Sequence, residues 1–234
     1  MRTRSLIVSV ATLGFIVSTD LALGQHQQVP SDKQPTKAPP PLPSCPVMSD
    51  EPVNLAVSIP TPEGPVFFCC KDCIPKYQAD PAKYAAKVTA QRKALADRPK
   101  TQVACPACNE PADAKVFMES GGQKILFSST ECMAKYKSDP SKYASALVNG
   151  YTYQTKCPVM GEDIDPKAFT TLANGAKVYF CCKGCDKKLV AEPTKYAPKL
   201  AAQGINLDPK ELTAPSPKSE PAHEHKGHDH DHKP

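Results

Sequence analysis

Eleven cysteines and a terminal cluster of histidines are the residues of this chain best suited to chemistry. The cysteines recur in a pattern. A first copy reads CPVM from Cys45, then VFFCCKDC ending on Cys73, and runs on to Tyr84. A second reads CPAC from Cys105, then ILFSSTEC ending on Cys132, and runs on to Tyr143. A third reads CPVM from Cys157, then VYFCCKGC ending on Cys185, and runs on to Tyr196. In each copy the last Cys stands seven residues before an acidic-Pro pair (Asp80-Pro81, Asp139-Pro140, Glu192-Pro193) and eleven before the Tyr. Cys45 to Cys69 and Cys157 to Cys181 both span 24 positions. Agreement at so many offsets marks an internal repeat.

A thiolate on a tight knuckle, joined by others where a hairpin ends and a helix starts, is the usual geometry of a small metal site. Cys69 and Cys73, like Cys181 and Cys185, are spaced i, i+4 and would share a face of a first helical turn. The positive end of a helix also favours the thiolate that binds metal. Cys70 and Cys182 sit i, i+3 from the last Cys and could reach the same site, so spacing alone does not choose between the pairs. Copy two replaces both vicinal cysteines by Ser128 and Ser129 and gains Cys108 at the knuckle, where the other copies have Met48 and Met160. That exchange leaves Cys105, Cys108 and Cys132 as three thiols facing one site. It also makes Met48 and Met160 either thioether ligands suited to Cu(I) or apolar packing against the hairpin. Disulfides such as Cys45–Cys73 and Cys157–Cys185 are the competing use of these residues in an exported chain. The odd count leaves at least one thiol without a partner.

The elements that must position these sulfurs are short. Phe169–Leu172 and Lys177–Phe180 read as strands around the turn Ala173-Asn174-Gly175. Lys115–Met118, Gly121-Gly122 and Ile125–Phe127 repeat that hairpin in copy two. The last Cys opens a helix, and the acidic-Pro pair caps and starts a second one. Lys83, Lys87, Arg92 and Lys93 read as a solvated helix face. The expected fold class is therefore small α+β modules, each a Cys knuckle, a β-hairpin and a C-terminal helix, in tandem between disordered termini. Copies of this size hold too small a core to stand alone. A structural zinc supplies an apparent ~10–16 kcal/mol in small peptides, a disulfide ~2–4 kcal/mol.

CPVMGEDIDP from Cys157, followed by VYFCCKGCDKKL and EPTKY, resembles the YHS and TRASH family of small heavy-metal-binding domains. The resemblance covers roughly residues 44–92, 103–148 and 155–200. It implies a zinc-ribbon or treble-clef-like module that takes part in metal sensing, trafficking or resistance. It also implies the ligand sets Cys45, Cys69, Cys73 and Cys157, Cys181, Cys185, so it favours Cys69 and Cys181 over their neighbours. Copy two departs with Ser128 at the middle ligand position. The Tyr-His-Ser triplet of one branch is absent, and no histidine lies inside a module.

The organisation that follows is a signal peptide over 1–24, a Pro-rich linker over 25–43, modules over 44–98, 101–149 and 155–202, and a disordered His-rich tail over 203–234. Arg2 and Arg4, the apolar run Leu6–Val17 and Ala22-Leu23-Gly24 carry the expectation of export to the periplasm or outside the cell. In the tail, His223, His225, His228, His230 and His232 alternate with Glu224, Asp229 and Asp231, a set that suits Zn, Cu(II) or Ni(II), although such a stretch can also serve only to solubilise. With no Trp, 26 Pro and a net charge of +5 carried by dispersed Lys, the chain offers neither one large core nor a nucleic-acid signature. No catalytic constellation is present, and the modules lack a histidine base. The expected partners are metal ions, with Zn or Cu as the bound species, and a metal-transfer protein. No nucleic acid and no membrane span after signal cleavage are expected. The expected role is metal buffering, sequestration or delivery. The alternative is an interaction protein whose modules zinc or disulfides merely staple.

Overall fold

The computed structural model describes residues 40–208, 210 and 212. The expected signal peptide, nearly all of the linker and the five tail histidines lie outside the described residues. The fold is α+β, built from small two-stranded sheets and short helices. Three antiparallel hairpins carry it: β1 (Asn54–Ile59) with β2 (Val66–Phe68), β4 (Asp113–Ser120) with β5 (Gln123–Phe127), and β7 (Asp165–Thr171) with β8 (Lys177–Phe180). A fourth sheet pairs β3 (Thr101–Gln102) with β6 (Tyr151–Thr152), joining the stretches that lead into the second and third knuckles.

Each hairpin has the same defect near its base. Pairing slips between Asn54 and Ser58, between Asp113 and Phe117, and between Asp165 and Phe169. The first residue of each slip accepts, through its side-chain oxygen, the backbone N–H two residues on: Ala56 at 3.1 Å, Lys115 at 2.9 Å and Lys167 at 2.9 Å. Asn and Asp supply this local turn more readily than other side chains. At the far end of the middle hairpin, Gly121 and Gly122 both have positive φ, as a two-residue turn of matching twist requires.

Helices follow each hairpin. They are α1 (Cys73–Ala79) and α2 (Ala85–Leu95), α3 (Thr130–Ser138) and α4 (Ala144–Asn149), then α5 (Cys185–Ala191) and α6 (Pro193–Ala201). The acidic-Pro pairs do mark the break between helices: Pro81 opens a 3₁₀ turn and Pro193 opens α6. Asp80 and Asp139 each accept a backbone N–H three residues on, at 3.2 Å. Behind each hairpin a buried Phe meets the helix. Phe68 packs edge-on to Tyr77, Phe127 edge-on to Tyr136, and Phe180 is buried with Leu189 and Tyr196 in the same cluster.

The first and third copies share one hydrophobic core, which runs from Val53, Phe68 and Leu95 to Phe180, Leu200 and Ile205. The second has its own small cluster around Phe127 and Tyr136. Residues 203–207, assigned to the tail from sequence, belong to this folded unit. Gly204 O accepts Leu55 N–H at 2.8 Å, and Asn54 Nδ2 donates to Asn206 O at 2.7 Å. Gly204 has φ +85°, and a Cβ there would stand 2.6 Å from Leu55 Cδ1, so only glycine fits this closure. Arg92, expected on a solvated face, is half-buried and instead donates to Thr61 Oγ1 at 2.8 Å and Gly64 O at 3.1 Å, clamping the first hairpin turn. Among the described residues no helix is long and apolar enough to cross a membrane.

Three buried glutamines hold the hairpins by their outer strands. Gln91 accepts Phe67 N–H at 2.9 Å and donates to Phe67 O at 2.9 Å. Gln102 makes the same pair with Leu126, at 2.9 and 2.8 Å, and Gln154 with Tyr179, at 2.9 and 2.6 Å. One amide side chain thus imitates a neighbouring strand on an edge that would otherwise carry unpaired backbone groups. Gln154→Ala leaves both backbone groups of Tyr179 without their partner and should destabilise the reduced protein by about 2 kcal/mol or more. Lys83→Ala on the exposed helical turn should change stability by less than about 0.5 kcal/mol. Denaturant titration of the two variants checks the contrast.

Candidate metal centres

The knuckles form by one rule. Cys45 N–H bonds Glu51 O at 2.7 Å, Cys105 N–H bonds Glu110 O at 2.8 Å, and Cys157 N–H bonds Glu162 O at 2.7 Å. Each loop therefore turns its cysteine inward, and Cys45, Cys105 and Cys157 are each 1% exposed. The hairpin end brings Cys69 or Cys181, and the start of the following helix brings Cys73, Cys132 or Cys185.

Three sulfur clusters result: Cys45, Cys69 and Cys73; Cys105, Cys108 and Cys132; Cys157, Cys181 and Cys185. Within each cluster all sulfurs lie within 4.8 Å of one another. Cys69 and Cys73 are in contact at 3.6 Å. Three sulfurs bound to one ion at about 2.3 Å each stand roughly 4 Å apart, so these clusters fit a thiophilic ion with little movement. All eleven cysteines are free thiols here. Each cluster offers three sulfurs, a donor set that suits a soft metal ion and not a hard cation.

The convergence has a different cause from the shared helix face expected. Cys69, Cys70, Cys181 and Cys182 precede the helices, in the bend between strand and helix. Cys73 and Cys185 are the first residues of α1 and α5, while Cys132 lies in the first turn of α3. The bend folds the hairpin end back over the helix start. Met48 and Met160 are 45% and 56% exposed, so neither is packed away against its hairpin.

Ser128 is a site residue that the repeat comparison marked only as a loss. Its hydroxyl stands 3.1 Å from Cys108 Sγ and 3.4 Å from Cys132 Sγ, in the place that Cys69 and Cys181 take elsewhere. Ser129 has turned away to cap α3, accepting Cys132 N–H at 3.3 Å. The signal for Ser128 was available: it aligns with a cysteine and keeps a polar atom there.

The thiols differ in acidity. Burial raises the Cys45 and Cys157 thiols, but backbone N–H groups of Met48 and Cys69, or of Met160 and Cys181, outweigh it and leave both lowered. At Cys105 burial is likewise overcome by the Ser128 hydroxyl and nearby backbone N–H groups, which bring it to about 7. Burial pushes Cys69 up to about 11, and Cys73 is raised as well by burial and by the thiols around it. Cys181 is pushed up to about 11 and Cys185 to about 12 by burial and neighbouring thiols. Centres one and three therefore each gather one knuckle thiol lowered from its ordinary value and two thiols that hold their protons at neutral pH.

Compared with family models, with curated proteins and with solved structures, the chain matches none.

A metal ion entering centre one or three must displace protons from Cys69 and Cys73, or from Cys181 and Cys185. Loading at pH 7 should release at least about two protons per ion. Apparent affinity should then rise with pH, by at least about two logarithmic units per pH unit, and weaken as pH falls. Calorimetric titration in buffers of different ionisation enthalpy measures that proton count.

Proposed function

We propose that this chain is an exported heavy-metal-binding protein that holds Cu or Zn on three cysteine centres and buffers, sequesters or delivers it. The observation that carries the reading is the convergence of nine thiols from distant sequence positions into three clusters, each compact enough for one ion. Nothing in apolar packing calls for three sulfurs at one point. Sulfurs at knuckle, hairpin end and helix start in centres one and three, with the hairpin-end sulfur moved to the knuckle in the middle one, are the arrangement expected of a metal site. In this reading the modules are relatives of the YHS and TRASH type. The N-terminal 24 residues direct export, and His223, His225, His228, His230 and His232 add a less selective reserve for Zn or Cu(II). A metal-transfer protein would receive the cargo.

A second reading takes the ions as staples for an interaction protein. One observation favours it for centres one and three: Cys45, Cys73, Cys157 and Cys185 all belong to the shared hydrophobic core. Metal bound there also holds the fold together.

Metal analysis of the purified reduced protein separates these. The wild type should bind about three thiol-held ions, one per cluster. Cys132→Ser should lose about one, and deletion of residues 213–234 should leave the thiol-held ions in place. Absence of thiol-bound metal at neutral pH would sink the reading. Chelation that strips the ions and leaves the circular dichroism unchanged marks a carrier, whereas unfolding marks a staple.

A further inference from the structure

The vicinal cysteines place a fourth thiol beside each of the two core-linked centres. Cys70 Sγ lies 3.8 Å from Cys69 Sγ and 3.7 Å from Cys73 Sγ, and those two are 3.6 Å apart. The three atoms form a nearly equilateral triangle. Cys182 Sγ repeats the placement, 3.8 Å from Cys181 Sγ and 3.5 Å from Cys185 Sγ. Neither residue belongs to the compact group that includes the knuckle sulfur. Each centre thus contains two sulfur triangles that share an edge. The inner triangle ends on Cys45 or Cys157, the outer one on Cys70 or Cys182.

The two corners differ in access. Cys45 and Cys157 are 1% exposed, and Cys73 and Cys185 are 0% and 2% exposed. Cys70 is half-buried and borders a recess of about 450 Å³ shared with Asn54, Asn174 and Asn206. Cys182 is exposed and borders a recess of about 540 Å³ with Lys183 and Lys187. The middle copy lacks this corner, because Ser129 occupies the equivalent position and caps α3 instead.

We propose that Cys69, Cys70 and Cys73, and likewise Cys181, Cys182 and Cys185, form outer three-thiolate positions through which a thiophilic monovalent ion passes into and out of the inner triads. The inference rests on the reading of those triads as metal centres. An ion arriving from the recess bonds first to the outer sulfur and the shared pair. It then moves inward by exchanging one bond, metal to Cys70 for metal to Cys45, while Cys69 and Cys73 stay attached. The freed Cys70 thiolate takes up a proton from solvent, any proton on Cys45 leaves to solvent as its bond to the ion forms, and no electron is transferred. Because two of three bonds persist, the ion never has to be released to water. Soft sulfur donors and low coordination numbers suit Cu(I) in this path.

The test uses the full chain loaded anaerobically with Cu(I), and follows its withdrawal by an excess of a chromophoric Cu(I) chelator. In Cys70→Ser/Cys182→Ser, two of the three thiol-held ions should leave at least about tenfold more slowly than in wild type, while the ion of the middle centre leaves at its wild-type rate. Each single substitution should slow one ion only. Rates unchanged in the double variant would overturn the proposal and put the path at the knuckle side. Loss of a whole ion per substituted cysteine would also overturn it, by making Cys70 and Cys182 ordinary ligands. Failure of the wild type to hold Cu(I) on thiols is a separate outcome, and it would remove the triads themselves as centres.

Discussion

A two-stranded hairpin has two open edges, and the backbone at its far strand must find partners before that strand can hold a cysteine in place. Here one buried glutamine amide answers that need in every copy. It grips Phe67, Leu126 or Tyr179, always the residue two positions before Cys69, Ser128 or Cys181. The grip fixes the direction of the strand end, and the next residue, Phe68, Phe127 or Phe180, anchors it from the other face. Between them these contacts aim the hairpin-end side chain at the knuckle. The sulfur clusters depend on this ordering of the strand ends. A site ordered by its own fold loses less entropy on binding.

The copies achieve the grip in two ways. Gln102 and Gln154 come from the segment just before the knuckle, three residues ahead of Cys105 and Cys157, Gln102 in β3 and Gln154 just past β6. In the first copy that position is Leu42, which packs on the shared core, and the amide comes from Gln91 on α2. In the same copy Gly204 and Asn206 return to bond Leu55 and Asn54 on β1, the other strand of that hairpin. Copies one and three are welded through one core, while the middle copy is joined through the β3–β6 pair and keeps a small cluster of its own. The chemistry follows that division. The welded pair has vicinal thiols and proton-holding helix cysteines. The middle centre has a hydroxyl, an exposed Cys108 and a knuckle thiol near 7.

How much was legible beforehand depended on the range of each interaction. The repeat, the hairpin turns at Gly121-Gly122 and Gly175, and the helix breaks at Pro81 and Pro193 are local and were readable from residue types. So was the set Cys105, Cys108 and Cys132, because sulfur moved from hairpin to knuckle between copies, whereas spacing did not choose Cys69 over Cys70 or Cys181 over Cys182. Arg92 was misread as a solvated residue because its partners, Thr61 and Gly64, are about 30 positions away and carry no motif. The same holds for Gln91, a polar residue on a Lys-rich helix with nothing nearby to mark it as buried.

The sequence by itself determined that three cysteine clusters exist and which residue types they contain, since spacing along a short chain limits which sulfurs can meet. Only the tertiary structure decided that the strand-to-helix bend brings them together, in place of a helix face. It alone decided that Cys70 and Cys182 flank the triads without joining the knuckle, and that two of the centres sit on one core. The physical reason is that the bend, the glutamine grips and the return of Gly204 all rest on backbone hydrogen bonds and apolar contacts between distant segments. Apart from the offset that Gln102 and Gln154 share, those have no signature in residue spacing.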